Sequence, residues 1–297
     1  MKRYTQIEDA SRPASDVSPW KSAGTLDLAC VGYGLIVVAA VLVSYVLGVF
    51  EWLPYDPEHI SFGLLNAPPG SAGHLLGTDF LGRDILSRLI VATQAYFLPG
   101  LVAIAISLVA GTVLGALAGY RGGGVEVLVT YFNNLVDSFP RLVLILLVIA
   151  VFRVDIYYIM IIVGVTGVPV VASLVAGKIA FLRQKHFIEA AHVLGLPAHV
   201  IVLKHILWHH CAPLLVIRAT IGMGEVILIE TSLSYLGFGV QEPTPSWGNM
   251  VQAGANYFFQ GKFWPSTAPA LAILFTILGF HLLGDGLNGI LEDRSGK

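Results

Sequence analysis

An all-α, polytopic membrane protein with six membrane-crossing helices is the fold class that the sequence predicts, on three observations. Charged residues make up only 12% of the 297-residue chain and hydrophobic residues 56%, with a mean hydropathy of +0.76, whereas a soluble domain carries about a quarter charged residues. The apolar residues are gathered into runs long enough to cross a bilayer, since a core of about 30 Å at about 1.5 Å per helical residue asks for ~20 residues. The polar residues collect in the connections between those runs. A soluble enzyme is disfavoured, because surface-to-volume scaling limits how much apolar area a domain of this size hides. The net charge of −2 and pI near 6.5 offer no basic surplus for nucleic acid. Two cysteines, Cys30 and Cys211, exclude a disulfide framework.

The elements follow in chain order. The tail before the first span contains both acids and bases and precedes a run already long enough to cross, so it reads as a tail and an uncleaved helix, not a signal peptide. Residues 28–50 are uncharged between Asp27 and Glu51, and 89–120 are uncharged between Arg88 and Arg121. The third span, about 127–152, carries Asp137 and Arg141. Residues 156–177 are again free of charge, the fifth span at about 213–235 carries Arg218, Glu225 and Glu230, and 263–284 closes the set. Six spans put both termini on one side. On that side fall Lys2, Arg3, Arg12, Lys21, Arg121, Lys178, Arg183, Lys185, Lys204, Arg294 and Lys297, against Arg83, Arg88, Arg153 and Lys262 on the other. The bias of basic residues therefore assigns the termini and the 178–212 loop to the cytoplasm.

Three connections are too long to be turns, and long loops tend to carry function. The first, 51–88, is dense in Pro and Gly and reads as an ordered irregular loop in which Thr78 or Asp79 caps a short helix. The third, 236–262, reads as an outer loop. The second, 178–212, is the most informative. Phe187, Ala191 and Leu194 recur at helical spacing, Gly195 and Pro197 mark a stop and a restart, and Val200, Leu203 and Leu207 predict a second helix. Such a helix–turn–helix, small at Ala190 and Ala191, suits a rigid plug for a groove on another protein. It equally suits an amphipathic hairpin lying on lipid headgroups.

Glu189-Ala190-Ala191, Gly195 and Ile206-Leu207 together resemble the EAA loop of bacterial ABC-importer permeases. LGTDFLGRD (76–84), ALAGYRGG (116–123), Asp137 before Phe139-Pro140, SYLGFGVQEPTPSWGNM (234–250) and LLGDGL (282–287) are similar to segments of the dipeptide/oligopeptide/nickel branch, in its C-type subunit. These segments run in family order over most of the chain. Two positions depart from the pattern: Trp208-His209 stands where the family has Pro-Asn, and Arg141 where a small or neutral polar residue is usual.

The resemblance implies a type I ABC-importer-like fold and a non-catalytic permease subunit with no cofactor. It implies a second homologous permease, one or two cytoplasmic ATPase subunits and a periplasmic substrate-binding protein as partners of a chain that itself sits in the bacterial inner membrane, with no role for nucleic acid. It divides the chain into a cytoplasmic tail over 1–27, a first helix over 28–50, a periplasmic loop over 51–88 and a permease core over 89–290. That core holds the cytoplasmic loop 178–212 and the periplasmic loop 236–262, and a cytoplasmic tail over 291–297 follows it. Phe187, Glu189, Ala190, Ala191, Leu194 and Gly195 are then the residues that couple to the ATPase, Glu189 setting the seat and Gly195 allowing the turn and close approach. No G-x-x-x-x-G-K-[ST] is present; Gly177-Lys178 is followed by Ile179, so ATP chemistry belongs to another chain. Peptides are the expected cargo, with nickel chelates or other small solutes as the alternative. An ATP-independent secondary transporter is the alternative from outside the family.

Ionisable residues inside spans cost about 2.5–3.5 kcal/mol each on insertion scales, which makes them functional pointers. Asp137 and Arg141 are spaced to pair on one helix face, and Arg218 and Glu225 lie two turns apart. These four are candidates to line the pathway, or else they stabilise helix contacts. Glu230 is expected to reach water near the outer end. Gly111, Gly115 and Gly119 form a ladder for close helix packing, and Trp52, Trp247 and Trp264 fit an aromatic belt. His186, His192, His199, His205, His209 and His210 crowd the cytoplasmic loop. Only His205/His209 has metal-compatible spacing and no Cys or carboxylate accompanies it, so no metal site is assigned.

Overall fold

A computed structural model describes residues 24–152 and 155–295, with side chains up to residue 291. Lys2, Arg3, Arg12, Lys21, Arg153, Arg294 and Lys297, which enter the expected orientation, lie outside the described residues or side chains. The described residues are helical, with no β-strand. The first helix, α1, spans Thr25–Val49 and begins with Asp27 in its first turn, where a negative charge faces the positive end of the helix dipole. An irregular segment with two short 3₁₀ turns leads to α2, Ile85–Val91, a 3₁₀ turn over Ala92–Ala95 and α3, Phe97–Arg121. Together 85–121 form one apolar span. Then follow α4 (Gly123–Asp137), α5 (Arg141–Phe152) and α6 (Ile156–Leu182). A short α7 (His186–Val193) and α8 (Ala198–Val200) run through a π-helical stretch, Ile201–Cys211, into α9 (Ala212–Tyr235). The chain ends with α10 (Trp247–Phe258) and α11 (Trp264–Ser295).

Among the described residues five helical segments are long and apolar enough to cross a membrane, and the bent pair α4–α5 makes a sixth if it counts as one span. The third span is therefore not the continuous helix expected over 127–152. The chain bends by 76° between Asp137 and Arg141, where Pro140 lacks an N–H and its ring disfavours helical geometry at the residue before it. The connection 236–262 is not a plain loop either, since it contains α10. Its start was legible: Ser246 accepts the Asn249 N–H while the Asn249 side chain accepts the Ser246 N–H, a reciprocal cap. In the first connection the cap falls on Asp84, which accepts the Ser87 N–H, not on Thr78 or Asp79.

The most extensive helix–helix contact among the described residues is between α3 and α6. A Cβ added at Gly111 would lie 2.5 Å from Val171 Cβ, one at Gly115 2.5 Å from the Ala172 carbonyl oxygen, and one at Gly119 2.6 Å from the Ala176 carbonyl oxygen. In return, Gly164 of α6 faces the Ala103 carbonyl oxygen of α3 at 2.7 Å from where its Cβ would be. Three small residues at four-residue spacing on one helix thus let the backbones touch, the mechanism available inside a bilayer where no hydrophobic effect drives helices together. On the other side of the bundle α1 and α11 interlock in the same way, Gly34 against Leu283 and Gly279 against Val37. α9 packs between these pairs, with Gly284 of α11 against Ile221.

Among the described residues three buried clusters result, the smallest joining Val31, Leu283 and Ile290 between α1 and α11. One joins Val41, Ile85, Tyr96, Met160, Ile227 and Trp247 toward the loop end, the end where residues 51–84 and 236–262 gather. The second joins Val175, Ile179, Ile188, Ile201, Ile206 and Cys211 at the opposite, hairpin end. Cys30 and Cys211 are free thiols.

Gly115→Ala places a methyl group against backbone and should cost about 1–3 kcal/mol by overpacking, lowering the melting temperature of the purified protein in detergent. Gly177→Ala, where nothing lies within 4 Å of the added Cβ, should leave that temperature unchanged or raise it, because Ala favours helix by about 1 kcal/mol over Gly.

Candidate functional site

Three polar assemblies stand out in the bundle, one at each end and one between. At the loop end, the segment LGTDFLGRD folds into an ionic clamp. Asp79 accepts the backbone N–H groups of Leu81 and Arg83 and pairs with the Arg83 side chain, Nε to Oδ2 at 2.7 Å. Both Arg83 and Arg88 reach across to Glu242, at 2.7 Å and 3.0 Å, and Arg88 is 1% exposed. Burial alone would pull the Arg83 guanidinium down; its hydrogen bond to Glu242 and the charge of Asp79 outweigh that and leave it above its ordinary value. Beside the clamp, Asp84 accepts from the Ser87 N–H and pairs with His74 Nδ1 at 2.8 Å. Arg83 and Arg88, expected as loop charges that report orientation, are instead internal struts. The sequence signal for their partner was that Glu242 is the single acid between Glu230 and Asp285.

The middle assembly lies where α5, α6 and α9 meet. Arg218 donates from both terminal nitrogens to the two Glu225 oxygens, each at 2.8 Å. Arg141 reaches Glu225 from the start of α5 at 3.2 Å, and its other nitrogens donate to Thr166 Oγ1 at 2.9 Å and the Val163 carbonyl oxygen at 2.7 Å. One carboxylate is shared by two guanidinium groups, and no nitrogen of Arg141 is left bare. Side-chain exposures of 14% for Arg218, 29% for Arg141 and 33% for Glu225 place the triad at a boundary, not in a sealed core. The pocket it borders has a volume of about 20 Å³, room for a single water.

Asp137 does not join this assembly. The expected Asp137–Arg141 pair rested on both residues sharing one helix, and the 76° bend puts them on two. Asp137 is exposed and forms no ion pair among the described residues. Glu230, expected to reach water, is fully buried, because the α10 segment covers that side of α9. Trp247, expected in an aromatic belt, is 4% exposed, donates to the Leu89 carbonyl oxygen at 3.1 Å and packs on Tyr96. Trp264 donates to the Thr78 carbonyl oxygen, while Trp52 is 69% exposed.

At the hairpin end, α7 leans on α6 and the π-helical stretch. Its buried residues are Ile188 and Ala191, so the expected face of Phe187, Ala191 and Leu194 is not the packed one: Phe187 and Leu194 are exposed, Leu194 at 78%. Glu189 points outward, with His186 Nδ1 at 3.2 Å. The helix ends in a Schellman turn. Gly195 takes φ +74°, its N–H donates to the His192 carbonyl oxygen, and the Leu196 N–H donates to that of Ala191. Nothing lies within 4 Å of a Cβ at Gly195, so within this chain the glycine serves the turn and not a close approach. Pro197 is the N-cap of the following helix. That helix buries Ile201, Ile206 and Cys211, five residues apart, instead of Val200, Leu203 and Leu207. In an i→i+5 helix, residues five apart are hydrogen-bonded neighbours on adjacent turns and lie near one face. His205 and His209 lie in this stretch with ring centroids 6.4 Å apart. Gly177-Lys178 sits inside α6, a helix and not a phosphate-cradling loop.

The sequence profile of the binding-protein-dependent transport system inner membrane component family matches residues 111–297, the stretch that holds the triad, the hairpin and α10. The chain belongs to that family. It is 33% identical over 269 residues, 89% of each chain, to a probable D,D-dipeptide transport system permease protein of Escherichia coli K12. It is 32% identical over 295 residues, 97% of this chain and 95% of the relative, to a dipeptide transport system permease protein of Alkalihalophilus pseudofirmus. A glutathione transport system permease protein of Escherichia coli O6:H1 is 38% identical over 258 residues, 86% of this chain and 84% of its own. The protein is thus a multi-pass membrane permease component of an ABC importer.

In this permease, removing Glu225 strands two guanidinium groups, whereas removing Arg141 leaves the Arg218–Glu225 pair intact. Glu225→Ala should therefore lower thermal stability more than Arg141→Ala, with a coupling of about 0.5–3 kcal/mol between the two in a double-mutant cycle. Asp137→Asn should leave stability within about 0.5 kcal/mol of the parent.

Proposed function

We propose that this permease imports peptides, receiving them from a periplasmic binding protein and passing them along a path formed with a second permease. Both termini and the 186–211 hairpin face the cytoplasm in this reading. ATP is hydrolysed on separate ATPase subunits, and the chain itself catalyses no reaction. The relatives support the cargo, since those compared are named for dipeptide, D,D-dipeptide or glutathione transport. The proposed segments are a tail over 1–27, a first helix over 28–50, a periplasmic loop over 51–88, a core over 89–290 and a tail over 291–297.

The observation that carries the coupling assignment is how α7 splits its residues between two surfaces. Ile188 and Ala191 are buried in the permease, while Phe187, Glu189, Val193 and Leu194 are presented outward. A short helix anchored on one face and apolar on the other, held by a fixed turn at Gly195, has what a rigid lever needs: a stiff root and a free docking surface. Through Ile201 and Ile206 its root joins α6 and α9, and α9 carries Arg218 and Glu225. A push on the hairpin thus reaches the triad without passing through a flexible loop. Arg141, Arg218 and Glu225 then line the pathway at its closed point, where the 20 Å³ pocket admits no solute. Their partial exposure and paired charges offer a zwitterionic peptide both signs once helices separate. Asp137 is not assigned to that group.

In the permease assembled with its partners in proteoliposomes, Glu189→Lys should abolish ATP-driven peptide uptake while membrane insertion and assembly persist. Unchanged uptake in the variant overturns the coupling role. Uptake that continues without ATP under an ion gradient overturns the importer reading in favour of a secondary transporter.

A further inference from the structure

Glu230 sits on α9 five residues after Glu225, and its surroundings are of a different kind. It is 0% exposed, between the core residues Ile227 and Leu233. Every other buried or shared carboxylate described above has a cation or several N–H groups: Asp79 has Arg83, Asp84 has His74 and the Ser87 N–H, and Glu225 and Glu242 each have two arginines. Glu230 has hydroxyls. Ser234 Oγ lies 2.6 Å from its Oε1, and Ser246, the N-cap of α10, faces the carboxyl from the other side of the seam. Among the described residues no Lys, Arg or His pairs with it, and the one other ionisable group in electrostatic reach is Tyr96. Glu230 Oε2 and Tyr96 Oη are both buried oxygens without a hydrogen-bond partner.

A bare anion in such a place is strongly disfavoured, because neither solvent nor a counter-charge replaces its hydration. A neutral carboxyl is not. The site also has a structural task. Ser234 Oγ, bonded to Glu230, takes the Val240 N–H at 3.0 Å, and a Cβ at Gly248 of α10 would stand 2.2 Å from the Thr231 carbonyl oxygen. The carboxyl therefore lies in the seam that fastens the 237–246 segment and α10 to α9, and Glu242 of that segment holds Arg83 and Arg88.

We propose that Glu230 carries its proton in this arrangement and acts as a neutral positioning residue, a latch that closes the loop-end seam and releases it when the proton leaves to external water. The closed seam holds the proton more tightly than an opened, hydrated one, so the closed form is favoured as pH falls and loosened as pH rises. The triad is built differently, since its carboxylate, Glu225, is paired with two guanidinium groups.

Two measurements on the complete transporter in nanodiscs test this. Infrared spectra should show a protonated-carboxyl C=O band that disappears in Glu230→Gln. In a pH series of thermal melts, parent and Glu230→Gln should coincide at acid pH, with the parent melting progressively below the variant as pH rises. Glu230→Ala, which keeps no hydrogen bond to Ser234, should melt below both at acid pH. Absence of the band difference, a Glu230→Gln variant that melts below the parent at every pH or fails to assemble, or parallel melting curves each overturn the proposal. Neither readout depends on the cargo, so they are decided separately from the peptide assignment.

Discussion

The close approach of α3 and α6 is the constraint on which the rest of the bundle rests. Because Gly111, Gly115 and Gly119 bring the α3 backbone against Ala172 and Ala176, α6 runs through the middle of the molecule and is the most buried of the spanning helices. Both the triad and the hairpin rest on that spine. Its middle gives Val163 and Thr166 to Arg141, and its end gives Ile179 and Leu182 to the cluster that roots α7. In a bilayer, where lipid tails are as apolar as Leu, contact between backbones supplies packing that larger side chains would only hold apart.

The few charges divide according to how their hydration is replaced. At the loop end and in the middle, arginines and carboxylates answer one another: Arg83 and Arg88 with Asp79 and Glu242, Arg141 and Arg218 with Glu225. The arginine fork suits this work because it satisfies several oxygens at fixed angles. At the hairpin end the charges stay in water, as Glu189 does. Among the buried carboxylates of the described residues, Glu230 has a hydroxyl and no cation as its partner, which is why its protonation, and not its pairing, is the property of interest.

Much of this was legible in the residues, and the failures have specific causes. Span positions, the glycine ladder, the turn at Gly195 and the Arg218–Glu225 pair follow from local periodicity or local chain stiffness. The supposed Asp137–Arg141 pair failed because helical spacing applies only within one helix, and Pro140 ends one and begins another. The face of the second hairpin segment failed because the 3.6-residue period of an α-helix was applied to a π-helical stretch, whose wider turn brings Ile201, Ile206 and Cys211 to the buried side. Trp247 and Glu230 were placed by their nearness to a span end, but α10 folds back over both.

What the sequence by itself determined is therefore the class of molecule and its one-dimensional order: apolar spans, the connections between them, the breaks at Pro140 and Gly195, and the kinship shown by ordered motifs over most of the chain. These depend on composition and on neighbours within a few residues. Only the tertiary structure decided which distant charges share a site, that Glu242 clamps Arg83 and Arg88 from more than 150 positions away, and that α7 buries Ile188 while presenting Leu194. The reason is that burial is a property of what covers a residue. In a bundle whose elements are nearly all apolar, the pattern along one helix does not say which neighbour will cover it.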